Sequence, residues 1–437
     1  MEEKIVIIED MSLEGEGIAH LEQGTCFVPY ALESEEVVID DISNDNHKLR
    51  ARLVKVLKES SRRVKPKCPY FFKCGGCQIM HCNYDTQCLF KELKLKRIFE
   101  KQGLFLKIEP CVQSQEFGFR NSIQLKLEII DNQLQVGFYE RNSHKIVDLK
   151  ECILCNEWSK ILIKDIQLFY AECDKAEFNI KNIHAYYDQN QKGMLLVCQT
   201  NDGKLPLFEK FYEILKNDFK LGLFVAQSYE NNTLLNRRTI KYLMGEKLLT
   251  IKANDKKLKI RPSDFIQTNP NVAHKLLKDV CKIMFDQEVN VVIDLYSGIG
   301  LSSILFASFV QKVYSIEENR SAVLSATDNI KLNNYEDKIL ATLGNCNQDL
   351  DKLLDEKDLK SKLAVFVDPP RIGLKESIIS KILKVKPSCI FYQSCNAKTL
   401  AYDLKLFAKL YNIVSVTPYD MFPNSEKLEI LVVLTRK

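Results

Sequence analysis

The sequence predicts a multidomain chain in three parts: an N-terminal OB-like β-barrel, a central α+β region, and a C-terminal α/β, Rossmann-like region. Three observations carry this reading. Short strand-like runs separated by Gly15, Gly17 and Gly24 fill residues 1–58. From Pro262 onward, apolar runs of four to six residues alternate with helical segments, the texture of a mostly parallel sheet covered on both faces. Between them, residues 59–261 mix strand and helix around a dense group of cysteines.

The N-terminal strands are expected at 4–8, 17–20, 25–28, 36–39 and 49–57. Residues 85–102 have helical periodicity, with Leu89, Leu93, Leu95 and Ile98 broadly on one face. Strands at 122–130 and 194–200 and a helix over 158–172 follow. In the last part the strands are expected at 289–295, 312–317, 363–368, 389–393, 413–417 and 428–434. The three parts are placed at 1–58, 59–261 and 262–437, the length allowing a proper core for each.

Composition narrows the function. The apolar fraction is 46% and the charged fraction 27%, as in globular proteins. A net charge of +4 gives no global basic field, so a nucleic-acid surface would be local; residues 48–67, 91–101 and 252–261 are locally basic. No apolar stretch approaches the roughly 20 residues that span a bilayer. The first residues lack the basic start of a signal peptide, so a cytoplasmic protein without a membrane partner is expected. In that compartment the 15 cysteines are expected to be thiols, metal ligands or nucleophiles, not disulfides.

The glycine loop comes next. A buried strand runs into Asp294-Leu295-Tyr296-Ser297-Gly298-Ile299-Gly300, and a helix follows. Glycines there let a ligand approach the backbone at the helix start. Ser303 occupies the third glycine position of a dinucleotide fingerprint, so that fingerprint is incomplete. Glu317 ends the next strand, where an acidic side chain takes ribose hydroxyls. Asp294 adds negative charge that would repel a phosphate. The loop therefore suits a cation-bearing nucleoside such as S-adenosylmethionine.

Two further segments converge on that crevice. Asp368-Pro369-Pro370-Arg371 leaves one strand at its carboxyl end, and Cys395 in Ser394-Cys395-Asn396 leaves the next. Glu429 opens the last apolar strand, where partial desolvation would raise its pKa and basicity. A thiol and a separate buried carboxylate suit covalent catalysis with a general base.

Cys68-x5-Cys74-Gly75-Gly76-Cys77 needs a fourth ligand. Cys74 and Cys77 with Cys152 and Cys155 would make a paired-knuckle zinc site, which leaves Cys68 unused. Cys68, Cys74, Cys77 and one distant cysteine would suit an iron–sulfur cluster.

These pieces together resemble the RNA uracil-5-methyltransferase family, whose members make 5-methyluridine in 23S ribosomal RNA and in the tRNA T-loop. The matching segments are Asp264-Phe265-Ile266-Gln267-Thr268-Asn269, the glycine loop, Asp368 to Gly373, Ser394-Cys395-Asn396 with Thr399-Leu400-Ala401, and Phe422-Pro423 leading to Glu429. The resemblance implies Cys395 as nucleophile and Glu429 as the base that removes the C5 proton. It implies Gln267, Tyr296, Glu317, Asn345 and Asp368 around S-adenosylmethionine, and Phe265 beside the target base. The cysteine spacing is similar to that of ribosomal members with a [4Fe-4S] cluster, whose last ligand follows an Ile-Val-Asp segment. Here Ile146-Val147-Asp148 points to Cys152, so Cys68, Cys74, Cys77 and Cys152 are the implied ligands, with Cys155 spare.

Gly15-Glu16-Gly17-Ile18-Ala19 and Phe27-Val28-Pro29 resemble the RNA-binding TRAM domain. Barrel and cluster together imply 23S ribosomal RNA as partner, and no obligate protein partner. Two departures from the family stand out: Leu301 where asparagine is common, and Lys427 where histidine is common. The rival readings are a tRNA T-loop enzyme and an amino-directed methyltransferase of nucleic acid or protein. The latter class commonly shows Asn-Pro-Pro-aromatic where this chain has Asp368-Pro369-Pro370-Arg371, and it needs no cysteine.

Overall fold

A computed structural model describes residues 3–45, 48–228, 239–253, 255–353 and 362–437. Six strands form the N-terminal sheet: β1 (Lys4–Ile7), β2 (Asp10–Met11), β3 (Gly17–Leu21), β4 (Gly24–Val28), β5 (Glu36–Asp45) and β6 (Lys48–Lys58). Their order is β1-β5-β6-β4-β3-β2, a curled sheet around Ile8, Ala19, Val28, Val37 and Ile39. β5 runs further than its apolar stretch because three register shifts against β6 bend it, and the bent part stays paired.

The cysteine loop follows, then helix α1 (Tyr84–Lys101). Its buried face is Gln87, Cys88, Lys91, Leu95, Ile98 and Phe99. Leu89 and Leu93 are 40% and 41% exposed, which corrects the face expected from leucine spacing. The reason is polar. Gln87 and Lys91 bond residues of the 420–428 loop, and those bonds turn α1 so that the two leucines point outward. The apolar end of α1 packs on the C-terminal sheet beside Leu400 and Leu404, although it precedes that sheet by some two hundred residues of chain.

The central sheet contains β7 (Ser122–Ile130), β8 (Gln133–Tyr139), β9 (Ile146–Asp148), β10 (Ile180–Asp188), β11 (Gly193–Thr200), β12 (Lys220–Gln227) and β13 (Lys241–Gly245). It is antiparallel except for the β11–β12 pair. Helices α2 (Glu157–Glu172) and α3 (Phe208–Leu215) cover one face through Leu162, Ile166, Phe169, Phe211 and Leu215. A ribbon, β14 (Leu249–Ala253) with β15 (Lys256–Ile260), leads to the last part.

There, β16 (Val291–Leu295), β17 (Lys312–Glu317), β18 (Ile339–Leu343), β19 (Leu363–Val367), β20 (Cys389–Ser394), β21 (Tyr411–Tyr419) and β22 (Glu429–Arg436) make one sheet, ordered β18-β17-β16-β19-β20-β22-β21. Helices α4 (Pro270–Asp286), α5 (Leu301–Phe306), α6 (Arg320–Leu332), α7 (Cys346–Asp349), α8 (Glu376–Val385) and α9 (Ala397–Phe407) connect and cover it. Alternate residues face opposite layers: Val292 joins Val280 and Met284 of α4, whereas Val291 and Ile293 join Ile378, Ile382 and Leu404. β18 was not expected. It is an edge strand with Leu340 and Leu343 exposed, so it lacks the buried run that marks its neighbours. No helix among the described residues is long and apolar enough to cross a membrane.

Candidate active site

Six of the seven strands run in one direction, and β22 alone runs against them, between β20 and β21. That reversal puts the start of β22 at the edge where β16, β17, β19 and β20 end. Ser394 pairs with Ile430, so Cys395 and Glu429 leave adjacent strands at the same edge. Cys395 is exposed and Glu429 is 2% exposed. The thiol can meet a ligand while the carboxylate stays desolvated.

A cavity of about 950 Å³ opens at this edge. Phe265, Gln267, Tyr296, Glu317, Asp368, Cys395 and Glu429 all line it. Phe265 is 68% exposed at its rim. Asn345 does not line it. That side chain caps α7 and donates to Glu318 Oε2 at 3.1 Å, and only Glu318 reaches the cavity. Lys427, one of the two departures from the family pattern, is a lining residue; Leu301 lines a smaller adjoining space with Gln393.

The glycine loop is shaped by backbone geometry. Tyr296, Gly298 and Gly300 have φ of 63°, 55° and 84°. A Cβ on Gly300 would meet Ala326 Cβ at 3.2 Å, so glycine lets α6 approach. Glu317 ties the loop to the next helix, accepting from Gly298 N at 3.0 Å and Asn319 N at 2.8 Å. Asp294 does not face the cavity, contrary to the charge role expected for it. It is fully buried and accepts from Ser302 Oγ and Ser303 Oγ at 2.6 and 2.5 Å, holding the start of α5. Burial still pushes its carboxyl up to about 6. Facing the cavity instead are Glu317 and Glu318, beside Asp368 and Glu429, and the first two supply negative charge that suits a cationic sulfonium ligand.

Burial pushes Glu429 up to about 7, against a hydrogen bond from Gln393 Nε2 to its Oε1 at 3.2 Å that favours the carboxylate. Asp368 is held well above the usual carboxylate range by burial, then by the charges of Glu429 and Asp294. Cys395 is raised by burial and by the same two acids, Glu429 and Asp368; Arg371 is the neighbouring cation that favours its thiolate.

The residue after Cys395 ties two walls together: Asn396 Nδ2 donates to Arg371 O at 2.8 Å. The 420–428 loop, which leads to Glu429, is clamped from outside. Lys91 is fully buried and pairs with the fully buried Asp420, while its ammonium also donates to Phe422 O at 3.1 Å. Lys94 donates to Glu426 O and Oε2, both at 2.8 Å. Asn424 O accepts from Gln78 N and Ile79 N at 3.0 and 3.1 Å, so the segment after Cys77 touches the loop directly. Part of the basic stretch 91–101 is thus a clamp on the site, not an open cationic face. Sequence reasoning missed Gln393, Lys91, Asn424 and Asp420: the last three act through contacts more than three hundred residues away, and Gln393 through a cross-strand partner 36 residues on. The only local signal was a polar residue at an otherwise apolar position.

Cys68, Cys74, Cys77 and Cys152 are electrostatic neighbours, and Arg120 lies beside the last three. Burial pushes Cys74 up to about 11. Cys152 is drawn down to about 7, first by a hydrogen bond from Cys155 and also by Arg120. Among the described residues no three such side chains are gathered tightly enough to hold a metal ion as they stand. The donor set, four adjoining thiols beside one guanidinium, fits a Cys-ligated cluster in chemistry.

Residues 213–437 match the family described as tRNA (Uracil-5-)-methyltransferase. An uncharacterized RNA methyltransferase of Clostridium tetani is 31% identical, the alignment covering 98% of this chain and 95% of that one. Another, from Caldanaerobacter subterraneus subsp. tengcongensis, is 30% identical over 99% of this chain and 97% of its own. In fold, the chain is similar to the Pyrococcus abyssi tRNA (uracil-54, C5)-methyltransferase solved with S-adenosyl-L-homocysteine: TM-score 0.78, 24% identity, 99% of this chain and 100% of that one. The chain belongs to the RNA uracil-5-methyltransferase family and is an S-adenosylmethionine-dependent enzyme that methylates uracil C5 in RNA.

Proposed function

We propose that the enzyme methylates uridine in 23S ribosomal RNA, with Cys395 as nucleophile and Glu429 as the base at C5. The observation that carries the roles is the pairing of Ser394 with Ile430, which brings an exposed thiol and a buried carboxylate to one edge. S-adenosylmethionine, when bound, supplies an electrophilic methyl. Gln267, Tyr296, Glu317 and Asp368 would hold it, with Asn345 acting on it only through Glu318.

Uracil C5 is a weak nucleophile. Cys395 Sγ adds to C6, forming the C6–S bond and pushing an electron pair through C5 toward O4. C5 can then take the methyl as the methyl–sulfur bond breaks. Glu429 removes the C5 proton, the pair returns to the ring, and the C6–S bond breaks to release Cys395. A carboxylate raised to about 7 is a stronger base than one in water. Phe265, exposed at the rim, would support the flipped base.

RNA carrying 5-fluorouridine at the target tests the chemistry, because the proton cannot leave and Cys395 stays bound to C6. A denaturation-resistant adduct is expected from the wild type and none from Cys395→Ala. Methylation by Cys395→Ala would overturn the mechanism.

The cysteines support a [4Fe-4S] cluster on Cys68, Cys74, Cys77 and Cys152, for Cys152 is an electrostatic neighbour of each of the other three. The cluster's spacing also resembles ribosomal members and supports the ribosomal substrate. The N-terminal sheet does not separate the two substrates, since the Pyrococcus abyssi enzyme, named for tRNA uracil-54, matches this chain over its whole length. Mapping 5-methyluridine in ribosomal and transfer RNA from a deletion strain separates them: loss in 23S RNA is expected, and loss in tRNA alone would favour the T-loop.

A further inference from the structure

The reaction cavity divides its charges along the sheet edge. Glu317 and Glu318 stand at the end of β17, with the glycine loop beside them at the end of β16. Next in strand order come β19, β20 and β22. There a cation lies within three residues of each functional side chain: Arg371 after Asp368, Lys398 after Cys395, and Lys427 before Glu429. All three cations are exposed and line the cavity. Among the described residues none of them has a carboxylate partner or a side-chain hydrogen bond. The acids of the cavity are otherwise engaged. Glu426 pairs with Lys94, the remaining cation of the lining, and Glu317 accepts from two backbone amides. Glu318 accepts from Asn345, and burial raises Asp368 and Glu429 toward their neutral forms. Glu14, between β2 and β3, also lines the cavity and pairs with none of the three. Like charges gathered at one rim are unfavourable until an anion joins them.

Resting on the RNA uracil reading, we propose that Lys398 and Lys427, with Arg371 beside them, seat the backbone phosphates that flank the target uridine. RNA brings one negative charge per nucleotide to an enzyme whose net charge is only +4, so local cations must supply the attraction. β20 and β22 are hydrogen-bonded neighbours, about 4.8 Å apart. The two lysines therefore flank the same pair of strand ends that present Cys395 and Glu429. A backbone held there fixes the flipped base against the thiol and the carboxylate. Phosphate contacts position a nucleic acid without reading its sequence, so this seat sets register and leaves base choice to other groups. The acidic end at β17 lies three strand spacings from β20, roughly 14 Å, and stays with the sulfonium. Lysine at 427, where the family commonly has histidine, keeps its charge throughout the neutral range. The donor's own carboxylate is the competing anion, and the test separates the two.

The test uses the full-length enzyme and short RNAs around the mapped target, with single flanking phosphates replaced by uncharged methylphosphonates. Lys398→Gln and Lys427→Gln should each raise KM for RNA about fivefold, while kcat at saturating RNA and KM for S-adenosylmethionine hold. The slope of log KM against log salt should fall by about 0.7 for each lysine removed. One methylphosphonate should raise KM for the wild type and add nothing further in the matching variant. Lys427→His should match the wild type at pH 6 and approach Lys427→Gln at pH 8, as an imidazole loses its charge around 6.5. Arg371 is left intact because its charge acts on Cys395. Unchanged KM and salt slope in both glutamine variants would overturn the assignment, and so would a rise in KM for S-adenosylmethionine alone, which would give the lysines to the donor's carboxylate. A wild type that forms no 5-fluorouridine adduct would instead overturn the uracil chemistry itself, and this assignment with it.

Discussion

Gln393 donates its side-chain amide to Glu429 Oε1 over 3.2 Å, from a strand paired directly with the one that Glu429 begins. The bond favours the carboxylate and works against burial, which pushes Glu429 up to about 7. Glu429 acts as a base only when ionised, so kcat should rise with pH through about 7. Gln393→Leu removes the bond and leaves burial unopposed. The rising limb should then move up by about one unit, a change that pH–rate profiles of the two proteins will read. An unmoved limb would assign it to another group.

Glu429→Gln should separate the steps. Cys395 can still add and the methyl can still move, so a stable protein–RNA adduct should accumulate on ordinary uridine RNA. The same variant bears on stability. Glu429 is raised from 4.5 to about 7, so the stability of its neutral form is fully present below pH 4.5 and lost as pH rises through about 7. Melting curves should show the variant a few degrees more stable than wild type at pH 8, and level with it at pH 4.5. Full turnover by the variant would move the base role elsewhere.

Lys91→Met should destabilise strongly, because it leaves Asp420 as a fully buried, unpaired charge. A cost of about 3–5 kcal/mol is expected in denaturant unfolding. Adding Asp420→Leu should recover most of that loss even though the pair is gone. A mild effect of the single substitution would mean that Tyr84, which donates to Asp420 Oδ2 at 2.8 Å, suffices to hold the carboxylate.

Anaerobically purified protein should contain about four irons and four acid-labile sulfides per chain. Cys152→Ser should lose most of both, and Cys155→Ser should keep them. Stoichiometric zinc without sulfide, or dependence on Cys155, would favour the paired-knuckle site.

Much of the fold was legible because buried parallel strands such as β16 and β19 are continuous apolar runs, and helix faces usually follow leucine spacing. Where polar partners set the packing, the pattern misled. Leu89 and Leu93 were expected inward, and Gln87 and Lys91 took their place through bonds to Asn424 and Asp420. The edge strand β18 was silent because an exposed strand has no apolar run to display. In the site, Cys395, Asp368, Glu317 and Tyr296 could be gathered from strand ends alone, since a parallel sheet brings those ends to one edge. Asn345 could not be placed that way, because its loop is fixed by a local cap and by Glu318.

The insertion of β22 between β20 and β21 has a consequence for the order of assembly. The segment that comes last in the chain occupies an interior slot, flanked by strands that precede it in sequence. β21 and β22 are neighbours in sequence and pair as a hairpin, so the two dock on β20 as one unit, and that docking is the long-range step, slow compared with pairing of neighbours. A molecule caught before this step would have its thiol, its glycine loop and its acidic strand end, but no residue 429 beside them. Such an intermediate could capture a pyrimidine and fail to let it go. On the roles proposed for Cys395 and Glu429, completing the sheet is therefore also what lets the bound base go.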